Sequence, residues 1–183
     1  MPRPLRVQAR GLTYHITARG NLGAPIYLDA RDRRRFLAGL ADVIGSFRWF
    51  CHAYCLMSNH FHLLLSTPEP DLARGMQRLN GRYGQRFNLR HARKGHLFEG
   101  RYGARLVESE SHLLEAARYV VLNPVRAGLC ASPGDWPWSS YRANAGLESP
   151  PTFLAEDFIL DLVAGDRTRA QARYRAFVAD SGR

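Results

Sequence analysis

The chain has 183 residues, 45% of them hydrophobic, with 26 Lys+Arg against 16 Asp+Glu for a formal charge of +10. That length and apolar content fit one domain with a buried core and exclude wholesale disorder, while the arginine-dominated excess points to a polyanionic partner, most often nucleic acid. Three cysteines (Cys51, Cys55, Cys130) cannot all pair within one chain. The Met1–Arg10 start has no signal-type apolar core, and no run of eighteen apolar residues occurs, so a reducing cytoplasm with no membrane partner is expected.

In chain order, the alternation in Leu12–Arg19 predicts a strand, closed by a turn at Gly20-Asn21. Asp29 is the expected N-cap of a helix carrying Phe36, Leu37, Leu40 and Ile44. Two strands, about 47–57 and 60–66, joined at Ser58-Asn59, predict an antiparallel hairpin. Asp71 opens a second helix through Leu72, Met76, Leu79, Tyr83 and Phe87, in which Gly75, Gly81 and Gly84 argue against unbroken geometry. A fourth strand is expected over 101–107, then a third helix capped by Ser111 and carrying Leu113, Ala117, Tyr119 and Val120. This order predicts an α+β fold with one mainly antiparallel sheet and helices packed on it. Beyond Cys130 the prolines and the Trp136-Pro137-Trp138 segment suggest irregular chain wrapping the core, followed by a final helical stretch near 158–178. The expected division is a main domain over 1–145 and a helical extension over 146–183 packed on or near it.

The chemistry concentrates in Asn59-His60-Phe61-His62-Leu63. Side chains at i and i+2 of a strand share a face, so His60 and His62 can approach one metal ion. Tyr119 and Asn123, four apart, share a helix face, and bringing the two faces together sets a phenol beside the metal, an arrangement suited to attack on phosphate. Pro124 opposes helical geometry at Asn123. Cys51 and Cys55, about 13 Å apart along a strand, are too far for shared zinc ligation and read as buried thiols. Arg74, Arg78, Arg82, Arg86 and Arg90 recur every four residues, and no acid occurs between Asp71 and Glu99. With Arg93, Lys94, Arg101 and Arg105 they make a candidate phosphate-binding surface, the bland alternative being a solvated helix face. The Trp-Pro-Trp segment reads as packing on the core rather than stacking on bases.

A series of motifs carries a family resemblance. It comprises Tyr14-His15 with Arg19-Gly20-Asn21, the run Tyr54 to Leu64 containing His60-Phe61-His62, Gly95 to Tyr102, Arg118 to Gly128 with Tyr119 and Asn123, and Trp138-Ser139-Ser140. In order and spacing this resembles the HUH endonuclease superfamily, and most of all the REP-associated branch of the IS200-like single-tyrosine transposases. The resemblance implies a ferredoxin- or RRM-like HUH fold. It implies His60 and His62 as metal ligands, Asn123 as the third, Tyr119 as the nucleophile, and Mg²⁺ or Mn²⁺ as the cofactor. It further implies cleavage and joining of single-stranded DNA beside a REP-like hairpin through a 5′-phosphotyrosine, by a monomer rather than a dimer, at the nucleoid. Two other readings stay open: a hairpin-binding protein without cleavage, and an RRM-like RNA-binding module, whose aromatic strand signature Arg101-Tyr102-Gly103 echoes only weakly.

Overall fold

The computed structural model describes residues 9–180. The first eight residues of the Met1–Arg10 start therefore lie outside the described residues. Strand β1 (Leu12–Arg19) leads to helix α1 (Ala30–Phe47), the hairpin β2 (Phe50–Leu56) and β3 (His60–Thr67), helix α2 (Leu72–Arg90), strand β4 (Gly103–Val107) and helix α3 (Glu110–Arg126). Three further helices follow: α4 (Tyr141–Asn144), α5 (Glu156–Val163) and α6 (Arg167–Ala179). The sheet order is β2-β3-β1-β4, with every neighbouring pair antiparallel. The expected α+β fold is therefore the observed one. Among the described residues no helix is long and apolar enough to cross a membrane.

The sheet separates two cores, and strand periodicity decides which residues face which. Tyr14, Ile16, Phe61, Leu63 and Leu65 point to the α1–α2 side, where they meet Phe36, Leu40, Met76, Tyr83 and Phe87. Leu64, Ala53, Cys55 and Val107 point to the other side, against Leu113, Ala117, Val120 and Val121 of α3 and Ile159, Leu160, Tyr174 and Val178 of α5 and α6. A bulge between Cys51 and Ala53 reverses the parity of β2, which puts Cys51 in the first core and Cys55 in the second. Both thiols are fully buried and free, as the sequence indicates.

Several boundaries differ from expectation for local reasons. The hairpin starts at Phe50 rather than near residue 47, because α1 runs on to Phe47 and Arg48 caps it in the left-handed region at φ 56°. Helix α2 is unbroken despite its glycines. At Gly75 a Cβ would lie 2.1 Å from the Trp49 ring, so the missing side chain is what lets helix and indole meet. Ser109, not Ser111, caps α3, its hydroxyl accepting from the His112 N–H at 3.1 Å. The final helical stretch is two helices, interrupted at Ala164-Gly165 and restarted by Asp166, whose carboxylate accepts from Arg169 N–H at 2.8 Å. Trp136 and Trp138 do pack on the cores, and Trp138 O accepts from Leu56 N–H at 2.8 Å on the open edge of β2.

Candidate active site

The face of the sheet that carries α3 is apolar toward the α5–α6 end and polar toward the other. There His60 and His62 of β3 lie opposite Arg19 and Thr17 of β1, and Gly103 of β4 lies opposite Thr17. The i, i+2 rule therefore holds: the two imidazoles share a face, ring centroids 5.0 Å apart. Helix α3 brings Tyr119 over them, its ring 5.7 Å from His62 and 5.6 Å from His15, edge-on to both. Tyr119 keeps 42% of its surface exposed, open enough to reach a bulky substrate. Arg126, two turns along the same helix, holds its guanidinium carbon 5.0 Å from the Tyr119 ring centre.

Two cavities meet at this point. One, of about 600 Å³, is lined by Arg19, Asn59, His60, Glu99 and Arg101 among others. The second, of about 680 Å³, is lined by His15, Arg105, His112, Glu115, Tyr119 and Arg126 among others. Thr17, His62 and Gly103 line both, so the cavities flank the histidines on either side.

The electrostatics favour neutral imidazoles. Burial, aided by the neighbouring His15 and His60, pushes His62 down to about 3. Burial, then Arg105 and His112, lowers His15 to about 4, and burial with Arg19 lowers His60. Uncharged rings with available lone pairs are what a metal requires. His62 Nε2 is buried without a hydrogen-bond partner among the described residues, an orphaned donor atom of the kind a cation satisfies. Among the described residues no group of three or more His, Cys, Asp or Glu is arranged to hold a metal ion. The protein thus offers two imidazoles, a donor set compatible with Mn²⁺ or Mg²⁺ when amide, water or phosphate oxygens complete it.

The other expected site residues divide. Asn123 is helical, and its amide donates to Tyr119 O at 2.8 Å; it lines neither cavity. Arg101 and Arg105 line the cavities. Arg78, Arg82 and Arg86 sit on α2, on the opposite side of the sheet, and Arg78 and Arg82 both pair with Asp42 of α1 at 2.8 and 3.1 Å. The acid-free stretch of sequence is thus compensated from another helix, as it is at Arg90, which pairs with Asp29 and Asp32. Arg93 and Lys94 follow the end of α2, with Arg93 over Phe87 at 5.7 Å. Sequence reasoning assigned no separate role to Arg19, Asn59, Glu99 and Arg126, and for His15 weighed orientation of DNA or a ligand against a structural pairing, favouring the pairing. Arg126, seven residues from Tyr119, was detectable by helical periodicity, whereas the others depend on cross-strand register.

Comparison with known proteins agrees with this geometry. Residues 8–123 match the family model described as IS200-like transposase, a segment that includes His60, His62, Tyr119 and Asn123. A curated Haemophilus influenzae (strain ATCC 51907 / DSM 11121 / KW20 / Rd) protein described as a REP-associated tyrosine transposase is 26% identical over 110 residues, covering 54% of this chain and 62% of that protein. The chain thus spans about three fifths of that relative's length. A solved structure of a REP-associated tyrosine transposase bound to a REP hairpin superposes with a TM-score of 0.68 at 17% identity, covering 85% of this chain and 92% of that one. With its fold shared and its two histidines and tyrosine inside the matched segment, the chain belongs to the IS200-like transposase family, and its similarity there runs to the REP-associated tyrosine transposases.

Proposed function

We propose that this chain is a metal-dependent transposase that cuts and rejoins single-stranded DNA beside a REP-like hairpin, through a 5′-phosphotyrosine on Tyr119. The observation that carries the reading is the approach of Tyr119 to His62, itself beside His60, where two cavities meet. His60 and His62 would hold the divalent ion, with Asn123 as the third protein ligand. When bound, Mg²⁺ or Mn²⁺ supplies Lewis-acid neutralisation of a phosphate oxygen.

The Tyr119 hydroxyl oxygen attacks the scissile phosphorus. The phenol gives up its proton as the P–O bond to tyrosine forms and the bond to the 3′ oxygen breaks, and that oxygen leaves as a 3′-hydroxyl after taking up a proton. The 5′ end stays on the enzyme, and because the new ester conserves the energy of the broken link, a second 3′-hydroxyl can reverse the step without ATP. Arg126 beside the Tyr119 ring, with Arg105 in the same cavity, supplies positive charge where the phenol and phosphate meet. Arg19 and Arg101 border the other cavity and suit the unpaired flanking strand. The basic face with Arg78, Arg82, Arg86, Arg93 and Lys94 lies across the sheet and is assigned to the phosphates of a DNA segment extending beyond the site. In this reading residues 1–145 form the catalytic domain and 146–183 a helical extension, and the protein acts as a cytoplasmic, nucleoid-associated monomer.

The test is a hairpin-bearing oligonucleotide labelled on its 3′ side, incubated with Mn²⁺ or Mg²⁺ and resolved on a denaturing gel. A labelled protein adduct that disappears in Tyr119→Phe and in EDTA is expected. Tight binding with no adduct on any hairpin tested would favour the non-cleaving binder instead.

A further inference from the structure

We propose that Asn59 and His15 are positioning residues that set the tautomers of His60 and His62, so that both Nε2 atoms face the site as free lone pairs. The proposal rests on the metal-binding reading above and extends it to two residues that touch neither metal nor DNA in that reading.

The Asn59 amide has only one consistent orientation. Its Nδ2 donates at 3.0 Å to the carbonyl of Gly23, which can only accept. Its Oδ1 therefore faces His60 Nδ1 at 2.8 Å, and an amide oxygen there requires His60 Nδ1 to carry the proton. In a neutral ring Nε2 is then unprotonated. The Gly23 carbonyl is itself fixed. Gly23 is left-handed at φ 71°, in a tight turn closed by Gly23 N–H to Gly20 O at 3.0 Å, and the turn is tied down by Asn21 N–H to Leu97 O at 2.9 Å. Backbone geometry thus passes through one amide to the protonation pattern of one imidazole.

His62 is set from the other side. Its Nδ1 lies 2.9 Å from His15 Nε2, and its own Nε2 is buried and unpartnered among the described residues. Two assignments satisfy the contact. With the proton on His15, His62 Nε2 would have to carry a buried N–H that nothing accepts. With the proton on His62 Nδ1, only a lone pair is left over. Unsatisfied buried donors are the rarer and costlier case, so the second assignment holds. His15 is held for the role: its ring lies nearly in the plane of His62, 25° apart with centres 5.1 Å from each other, and meets the Tyr119 ring edge-on at 5.6 Å. Partners on the non-ligating nitrogen are the usual means of orienting a metal-binding histidine, and their loss typically weakens metal affinity 10- to 100-fold, on the order of magnitude expected here.

The experiment uses the whole chain, metal-free and ¹⁵N-labelled, with long-range ¹H–¹⁵N spectra of the histidine rings at neutral pH. Pyridine-type Nε2 signals for both His60 and His62 are expected. Asn59→Leu should convert His60 to a tautomer mixture and leave His62 alone, whereas Asn59→Asp, which keeps the acceptor, should restore the His60 pattern. His15→Phe should release His62 only. Mn²⁺ titration should show roughly 10- to 100-fold weaker binding in Asn59→Leu and His15→Phe. A protonated Nε2 on either ligand in the unmutated protein overturns the proposal without any variant having to fold. Unchanged tautomers and Mn²⁺ affinity in well-folded Asn59→Leu overturn it equally. Both predicted tautomers in a protein that binds no Mn²⁺ would uphold the assignment and overturn the metal reading.

Discussion

Three imidazoles held neutral by the fold, His52 and His62 buried and His15 half-buried, predict an acid-labile fold in the absence of metal. Burial lowers His15 and His52 to about 4 and His62 to about 3, against an ordinary value of 6.5. A histidine whose folded value is depressed stays neutral in the native protein and charges once unfolded. Between about pH 6.5 and 4 the unfolded chain therefore binds more protons, and stability falls as pH falls. Each group contributes a slope approaching 1.4 kcal/mol per pH unit below 6.5, so from pH 7 to pH 5 each accounts for roughly 1.8 kcal/mol and the three together for roughly 5.5. That is a large share of the ~5–15 kcal/mol typical of a domain. Urea unfolding in EDTA at pH 7, 6 and 5, followed by tryptophan fluorescence, measures it directly. His52→Gln should recover about 2 kcal/mol of the acid loss, since His52 lies on β2 away from the site, bonded to Ser66 Oγ at 2.7 Å. Stabilities at pH 5 and pH 7 that agree within about 1 kcal/mol would refute the reasoning, because three imidazoles held neutral in the fold cannot be reconciled with a flat profile.

Other expectations follow from single contacts. Gly75→Ala places a methyl group 2.1 Å from the Trp49 ring, whose indole N–H is tethered to Asp71 at 2.8 Å. Thermal or urea unfolding should show a loss of about 1–3 kcal/mol or more. Ser109→Ala removes the cap of α3 and should cost about 1 kcal/mol, whereas Ser111→Ala should cost little. Arg105→Ala should weaken hairpin binding and reduce the log–log salt slope by about one in fluorescence anisotropy. Arg82→Ala, already paired with Asp42, should change the slope less.

What the sequence revealed is local. Strand alternation placed β1 correctly and put His60 and His62 on one face, and Asp29 was recognisable as a cap because an Asx side chain before an amphipathic run has that job. What it concealed is long-range. The glycines of α2 argue against a helix by propensity, and only the Trp49 ring against Gly75 explains why one of them belongs there. The arginine stripe looked unopposed because its acids, Asp29, Asp32 and Asp42, come from α1 and its cap, 36 to 61 residues earlier in the chain. His15 gained its place only through the register that sets Thr17 opposite His62, which brings the residue two before Thr17 diagonally onto the ligand. The break at Ala164-Gly165 was legible in principle, since Gly165-Asp166 combines a helix stop with a new N-cap.

Pro124 shows how a local defect can be turned to use. A proline within a helix leaves the carbonyl four residues earlier without its partner, here that of Val120. Asn123 supplies the missing donor from its side chain, with Nδ2 at 2.8 Å from Tyr119 O and 3.5 Å from Val120 O, and the helix passes through Tyr119 without interruption. The objection that Pro124 raises against helical geometry at Asn123 is met by Asn123 itself. The same bonds sort the two ends of the amide, for with Nδ2 committed to the backbone, Oδ1 is the end left to accept. Asn59 is sorted in the same way, its Nδ2 on a backbone carbonyl and its Oδ1 turned to an imidazole. In both asparagines a backbone carbonyl takes the donor and frees the oxygen, and oxygen is the end that a hard divalent cation takes. Repair of the helix beside Tyr119 and assignment of Asn123 as a ligand are therefore compatible demands on one side chain.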